Sequence, residues 1–341
     1  MSKQTIITGQ RVAVHSALTI AILITCLLSA VCGMPVMGNT ASSKMMTVNV
    51  PIADLRAQPR TTAQPAIHDP EEETQLLYGE RVRLLTTKDA WGFIEAIEQP
   101  EYTHHKRWEG YPGWIPLSTL VPWPPAYTPN IVVTEKWAST WSDTLAPTPS
   151  RFALGTRLRA TTMTGPRWKV ALLDGASVWV SRQDVRSLKT LRGLPTHERR
   201  QLILRSVQLF MADPYYWGGR SPHTTEAAGQ VFGVDCSGLV NLAYRSAGID
   251  IPRDAHEQYL RARRTTTLQP ADLIFLSECG HPATIVHVML YAGDGRIIEG
   301  PGTGLAVRRI TLEERFGRPL DALKPGTVVN GQTVYFGAYL P

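Results

Sequence analysis

The tetrapeptide Asp235-Cys236-Ser237-Gly238 puts a thiol where it can become a nucleophile. Behind it Leu239, Val240, Ala243 and Ala247 recur at helical spacing, and Gly248 stands where a left-handed cap ends the run. Cys236 therefore opens a helix at the positive end of its dipole. Free backbone N–H groups there stabilise a thiolate and lower its pKa from about 8.5 toward neutrality. Farther along, Ile285-Val286-His287-Val288-Met289-Leu290-Tyr291 reads as a strand with one polar residue inside it. A base beside the sulfur keeps it ionised and later hands a proton to a leaving amine, which makes His287 the candidate partner. After the turn signal Ala292-Gly293-Asp294-Gly295 the chain returns through Arg296-Ile297-Ile298-Glu299, and Glu299 is the candidate to orient the imidazole. A strict two-residue loop at Asp294-Gly295 would set Glu299 opposite Leu290, on the other face from His287. The triad needs a longer loop or a bulge.

Each of these residues also has a plainer explanation when taken singly. A lone cysteine is commonly a small buried hydrophobe, and a lone histidine a core residue bonded to a backbone carbonyl. Taken together they carry more. Pro214-Tyr215-Tyr216-Trp217-Gly218-Gly219, Asp235-Cys236-Ser237-Gly238-Leu239-Val240, Pro270-Ala271-Asp272-Leu273-Ile274-Phe275 and Val286-His287-Val288-Met289-Leu290-Tyr291 follow one another in order and spacing that resemble the successive motifs of NlpC/P60 cysteine peptidases. The resemblance implies an α+β, papain-like catalytic domain, with the cysteine on a helix packed against an antiparallel sheet, and hydrolysis of bacterial cell-wall stem peptides. Two departures stand out: the segment 220–230 is long, and the third catalytic position, often histidine in relatives, is Glu299.

Ahead of this region the chain repeats itself. Leu77-Tyr78-Gly79-Glu80-Arg81-Val82, Trp91-Gly92-Phe93-Ile94 and Gly113-Trp114-Ile115 are echoed by Leu154-Gly155-Thr156-Arg157-Leu158, Trp168-Lys169-Val170 and Val178-Trp179-Val180. Short alternating strands broken by Gly, Pro, Asp and Thr predict two small all-β barrels similar to bacterial SH3-like domains, with Trp91, Trp168 and Trp179 in their cores. The expected layout is an export signal at 1–38, barrels at 45–123 and 129–188, and the peptidase at 195–341. Pro122–Pro129 is expected to be a stiff linker and Arg186–His197 a second connection. In this order the chain resembles γ-D-glutamyl-L-diamino acid endopeptidases, whose first barrel closes one end of the cleft so that only peptides with a free N-terminal L-alanine fit. The resemblance implies ammonium recognition by Tyr215, Asp235 and Ser237, with Glu80 and Tyr111 contributed by the first barrel. Asp235 also reads as a helix N-cap, and Glu80 alone as a solvated turn residue.

Composition agrees with this layout. The 341 residues, 43% hydrophobic and 19% charged, suit two or three folded units. A net charge of +6 fits loose attraction to anionic wall polymers, and no Lys/Arg stripe with interleaved aromatics marks a nucleic-acid partner. Lys3 and Arg11 precede the apolar stretch Ala17–Val31, a signal for export to the periplasm, cell envelope or exterior; it is too short for a membrane span. Ser29-Ala30-Val31 ahead of Cys32 lacks the leucine and small-residue pattern of lipid attachment. Cys236 and Cys279 remain in the processed chain, so one disulfide, or a zinc site with His281 and His287, are alternatives to a free nucleophile. The peptidase chemistry itself implies no cofactor and no metal. A wall-binding protein without catalysis, using the barrels alone, is the rival reading, and the reactivity of the Cys236 thiol separates the two.

Overall fold

The computed structural model describes residues 43–62, 68–224 and 232–341. The expected export segment at 1–38 lies outside them, as do residues 225–230 of the long loop. No helix among the described residues is long and apolar enough to cross a membrane.

Two antiparallel sheets come first. One holds β1 (Lys44–Val48), β2 (Ile52–Arg56), β3 (Glu72–Leu77), β4 (Arg81–Lys88), β5 (Trp91–Glu101), β6 (Glu109–Pro116) and β7 (Leu120–Pro122). The other holds β8 (Ile131–Val133), β9 (Trp137–Trp141), β10 (Pro147–Ala153), β11 (Arg157–Thr164), β12 (Arg167–Ala171), β13 (Ser177–Ser181) and β14 (Val185–Ser187). Strand order is β3-β2-β6-β5-β4-β1-β7 in the first and β10-β9-β13-β12-β11-β8-β14 in the second, so the faint sequence repeat is a full repeat of SH3-like topology. Alternation makes each core: Leu55, Leu76, Val82, Ile94 and Ile115 fill the first, and Ile131, Val133, Leu158, Val170 and Val180 the second. Trp91, Trp168 and Trp179, expected inside, are only half-buried. An indole N–H needs a partner, and Trp179 finds Asp143 at 2.9 Å near the surface while Lys169 sits over its ring. Aliphatic residues take the narrow interior instead.

The connections are packed rather than free. Within the Pro-rich stretch Tyr127 is 3% exposed and meets Trp123 edge-on, while the second connection folds into the helix α1 (Leu188–Gly193). The C-terminal region then forms α2 (Thr196–Gln208), α3 (Cys236–Ser246) and α4 (Ala255–Arg261). These helices meet a sheet of β15 (Arg263–Arg264), β16 (Leu273–Glu278), β17 (His281–Gly293), β18 (Arg296–Glu299), β19 (Arg308–Thr311), β20 (Val328–Val329) and β21 (Gln332–Ala338). Its order is β15-β21-β16-β17-β18-β19, with β20 paired to β21, and all neighbours run antiparallel. This is the α+β arrangement expected of a papain-like domain.

One apolar core spans all three parts. Ile203 and Val207 of α2, Leu239 and Leu242 of α3, and Val288 and Leu290 of β17 share it with Ile52 and Leu77 from the first sheet and Ala153 and Leu154 from the second. Charge crosses the same boundary. The carboxylate of Glu80 receives Arg220 at 2.8 Å, Arg245 at 3.3 Å and Gln99 at 3.1 Å, and Glu80 is 2% exposed. Glu80 is thus neither a solvated turn residue nor open to a ligand. Its partners lie so far away in the chain that the local turn pattern could not reveal them. Removing one member of a buried pair strands the other's charge at a cost of about 3–5 kcal/mol. Glu80→Ala is therefore expected to lower unfolding free energy in denaturant by about that amount, while the folded fraction keeps its substrate KM; a raised KM with intact stability would restore Glu80 to the site.

Candidate active site

Cys236 is the first residue of α3, and Asp235 caps that helix by accepting the Gly238 N–H at 2.6 Å. A tight clasp fixes the turn. Asp235 N–H donates to Gly219 O at 3.1 Å, Tyr216 N–H to Val234 O at 3.0 Å, and a Cβ on Gly238 would lie 2.2 Å from Gly219 O. Only glycine fits at position 238, and the same clasp brings Tyr215 beside the thiol. Cys236 is 9% exposed and unoxidised, and so is the exposed Cys279, so no disulfide competes. Cys236, Cys279, His281 and His287 do not come together at metal-ligand spacing among the described residues.

Two bulges in β17 aim His287. Leu276 pairs with His287 but Ser277 with Ile285, so Val286 is the extra residue, and the Ile285 N–H donates to His256 Nδ1 at 3.2 Å. At the other end Gly293 pairs with Arg296 but Tyr291 with Ile297, which makes Ala292 a second extra residue. Asp294 (φ 50°) and Gly295 (φ 65°) form the tight loop the sequence suggested, yet the Ala292 bulge shifts the register by one. Leu290 now faces Ile298, and Glu299 falls on the face of His287. The difficulty raised by the sequence is resolved by a bulge rather than a longer loop. His287 Nε2 meets Glu299 Oε2 at 2.9 Å, and the ring also hydrogen-bonds the Cys236 sulfur, for which Nδ1 is the nitrogen left over.

Electrostatics poise the trio. Burial works against the imidazolium, but the Cys236 thiolate and the Glu299 carboxylate overcome it and raise His287 to about 9. Glu299 is 1% exposed, and burial alone would push its carboxyl up. His287, then Arg308 and Arg315, reverse this and hold it down at about 2. Arg308, its cross-strand neighbour, donates to Oε1 at 3.0 and 2.6 Å, and Arg315 to Oε2 at 3.3 Å. The arrangement can sustain a thiolate–imidazolium pair, the species that attacks a carbonyl and then protonates the leaving group.

The rest of the cleft is organised by Arg253, which is 0% exposed. It grips Asp235 through two bonds of 2.8 and 3.1 Å, and reaches Ser237 Oγ at 2.9 Å, Thr74 Oγ1 of the first sheet at 2.6 Å and Asp254 Oδ1 at 3.3 Å. Asp235, expected to hold an ammonium, is thus already neutralised, with Ser237 joined to it at 3.2 Å. Tyr215 is 6% exposed, and burial followed by the charges of Cys236 and Asp235 pushes its phenol upward. Tyr111 lies buried on β6. Its hydroxyl donates to Asp254 Oδ2 at 2.9 Å and lies 3.3 Å from Glu73 Oε2. Asp254 and Glu73 escaped the sequence reading. Their side chains keep 38% and 26% exposure, so neither is sealed from solvent. Enclosure, offset by Arg253 and reinforced by Asp235 and Glu257, lifts Asp254 to about 7. The one sequence signal is an acidic residue beside an arginine just ahead of α4.

Residues 212–318 match the sequence profile of the NlpC/P60 family. The chain is 30% identical over 252 residues to the γ-D-glutamyl-L-lysine dipeptidyl-peptidase of Bacillus cereus, an alignment covering 70% of each protein. It is 27% identical over 244 residues to the enzyme of the same name from Bacillus subtilis, covering 71% of this chain and 76% of that one. The crystal structure of an NlpC/P60 family protein from Bacillus cereus shares the fold, with a TM-score of 0.69 and 24% identity over 87% of this chain and 100% of that chain. Similarity that runs through the β-rich half as well as the Cys–His region has one source in common descent: this chain belongs to the NlpC/P60 family.

Proposed function

We propose that this chain is an exported cysteine endopeptidase that cuts the γ-D-glutamyl–diamino acid bond of peptidoglycan stem peptides carrying a free N-terminal L-alanine. The observation that carries the substrate is the group at the barrel end of the cleft. Tyr111 has one phenolic proton for two carboxylates; Asp254 also receives Arg253 at 3.3 Å and Glu73 lies 3.9 Å from His104, and the acceptor capacity left over suits a ligand that brings a further positive charge and several N–H donors. An α-ammonium supplies both. Asp235 caps the nucleophile's helix and links to Asp254 through Arg253, which ties the amine end to the thiol end. A carboxylate pair drawn from the first sheet (Glu73) and from the start of α4 (Asp254) suits a dipeptidyl substrate held by its amino terminus, and the names of the Bacillus relatives support the same substrate class.

In this reading the Cys236 thiolate attacks the γ-carbonyl carbon while the backbone N–H at the start of α3 receives the developing oxyanion. His287 gives its proton to the nitrogen of the diamino acid as the C–N bond breaks, leaving a thioester. His287, now neutral, takes a proton from water, whose oxygen attacks the thioester. The dipeptide acid leaves and the thiolate–imidazolium pair returns. Glu299 holds the ring and balances its charge; Tyr215 and Ser237 line the approach.

Cys236→Ala and His287→Ala are each expected to abolish cleavage of L-Ala-γ-D-Glu-diaminopimelate peptides while melting stays near wild type, because nucleophile and base act as a unit. Near wild-type turnover of either variant would remove the mechanism. The kcat/KM profile is expected to fall as pH rises through about 9, where His287 loses its proton. Glu299→Gln removes a charge that raises the imidazole, so its basic limb is expected at lower pH with residual activity; an unmoved limb would take Glu299 out of the triad.

Amine recognition is checked separately. N-acetylating the alanine is expected to slow cleavage by orders of magnitude, since Asp254, Glu73 and Tyr111 lose their charged partner. Asp254→Asn is expected to raise KM for the free peptide about tenfold, in line with one charge-assisted hydrogen bond, and to leave the slow cleavage of the acetylated peptide unchanged. Equal rates on both peptides would eliminate this specificity without touching the Cys236–His287 chemistry.

A further inference from the structure

The arm connecting β5 to β6 holds a second cluster that the peptidase chemistry does not use. Glu101 ends β5, Glu109 begins β6, and the two are cross-strand partners. Like charges directly opposite each other destabilise a strand pair unless a positive group lies between them. His105, from the loop between, folds back so that its Nδ1 meets Glu109 Oε1. One ligand atom from each of Glu101, His105 and Glu109 lies within 4.8 Å of the other two. Glu101 is 1% exposed; its Oε2 accepts from the His104 N–H at 3.0 Å and contacts His104 Nδ1 at 2.9 Å. Its other oxygen, Oε1, is buried with no hydrogen-bond partner among the described residues. A desolvated carboxylate oxygen with no partner is costly, and a bound cation is one way to satisfy it.

We propose that Glu101, His105 and Glu109 form a divalent-cation site of the zinc class. One imidazole nitrogen and two carboxylate oxygens match the donor set of Zn²⁺ sites that keep an open position for water, whereas Mg²⁺ and Ca²⁺ prefer oxygen donors alone. The ion would take the place of the proton between His105 and Glu109. Arg107, which donates to Glu109 Oε2 at 2.7 Å, is 69% exposed and free to swing away. His104 supplies the outer contact that orients Glu101, as ligating carboxylates require.

The position gives the ion a task. His104 packs edge-on against Tyr111 with centroids 5.2 Å apart, and Thr103 N–H donates to Glu257 of α4 at 3.1 Å. An ion joining the two strands at the root of this arm would stiffen the wall that carries Tyr111. The site is a staple for the barrel end of the cleft, remote from the thiol chemistry.

The test uses the exported chain with any affinity tag removed and with Cys236→Ala and Cys279→Ala, so that no thiol competes for metal. Zn²⁺ is titrated against a chromophoric chelator, and melting is followed with and without Zn²⁺. The expected result is one Zn²⁺ per chain and a higher melting temperature with the ion. His105→Ala alters an exposed side chain and leaves the fold intact; it and Glu109→Gln are each expected to weaken binding at least tenfold and to cancel the melting shift. Absence of stoichiometric binding, binding that both variants retain, or displacement of Zn²⁺ by an equal concentration of Mg²⁺ or Ca²⁺ would overturn the assignment.

Discussion

A guanidinium removed from water has to be paired on every side, and Arg253 meets that demand by drawing three parts of the molecule to one point. Its donors go to the cap of the nucleophile's helix, to the carboxylate before α4 and to Thr74 in the first sheet. One buried side chain thereby joins the cap, the segment ahead of α4 and the first sheet. Arg220 and Arg245 repeat the principle around Glu80, at 2.8 and 3.3 Å, and Arg245 also reaches Glu98 at 2.7 Å.

The same constraint explains how a buried carboxylate stays charged beside His287. A buried glutamate would ordinarily take up a proton and lose its use as a charged partner for the imidazole. Arg308, placed by strand pairing, and Arg315, placed by the short helix that follows β19, keep Glu299 ionised. The price is an imidazole held more tightly in its charged form. That suits the protonation of a leaving amine and the partnership with a thiolate.

The β-rich half shares its core with the Cys–His region. Ile52 and Leu77 join the core around α3, and Tyr111 faces the cleft through Asp254. Barrels that only carried the enzyme to the wall would need no such burial. Sharing a core holds the first sheet in a fixed position against α3.

The sequence by itself determined the chemistry that depends on neighbours in the chain. The helix start at Cys236, the lone histidine in an apolar strand, the return to Glu299 and the repeated strand pattern all arise from local spacing, and all were legible. Tertiary structure decided what depends on distant partners. The Ala292 bulge, which turns Glu299 to the face of His287, is a matter of sheet register and leaves no mark in hydrophobic alternation. Glu80 and Glu73 lie close together in sequence, yet one is sealed by Arg220 and Arg245 while the other opens beside Tyr111. A carboxylate's role is set by which charges pack against it, and those charges come from residues far away in the chain.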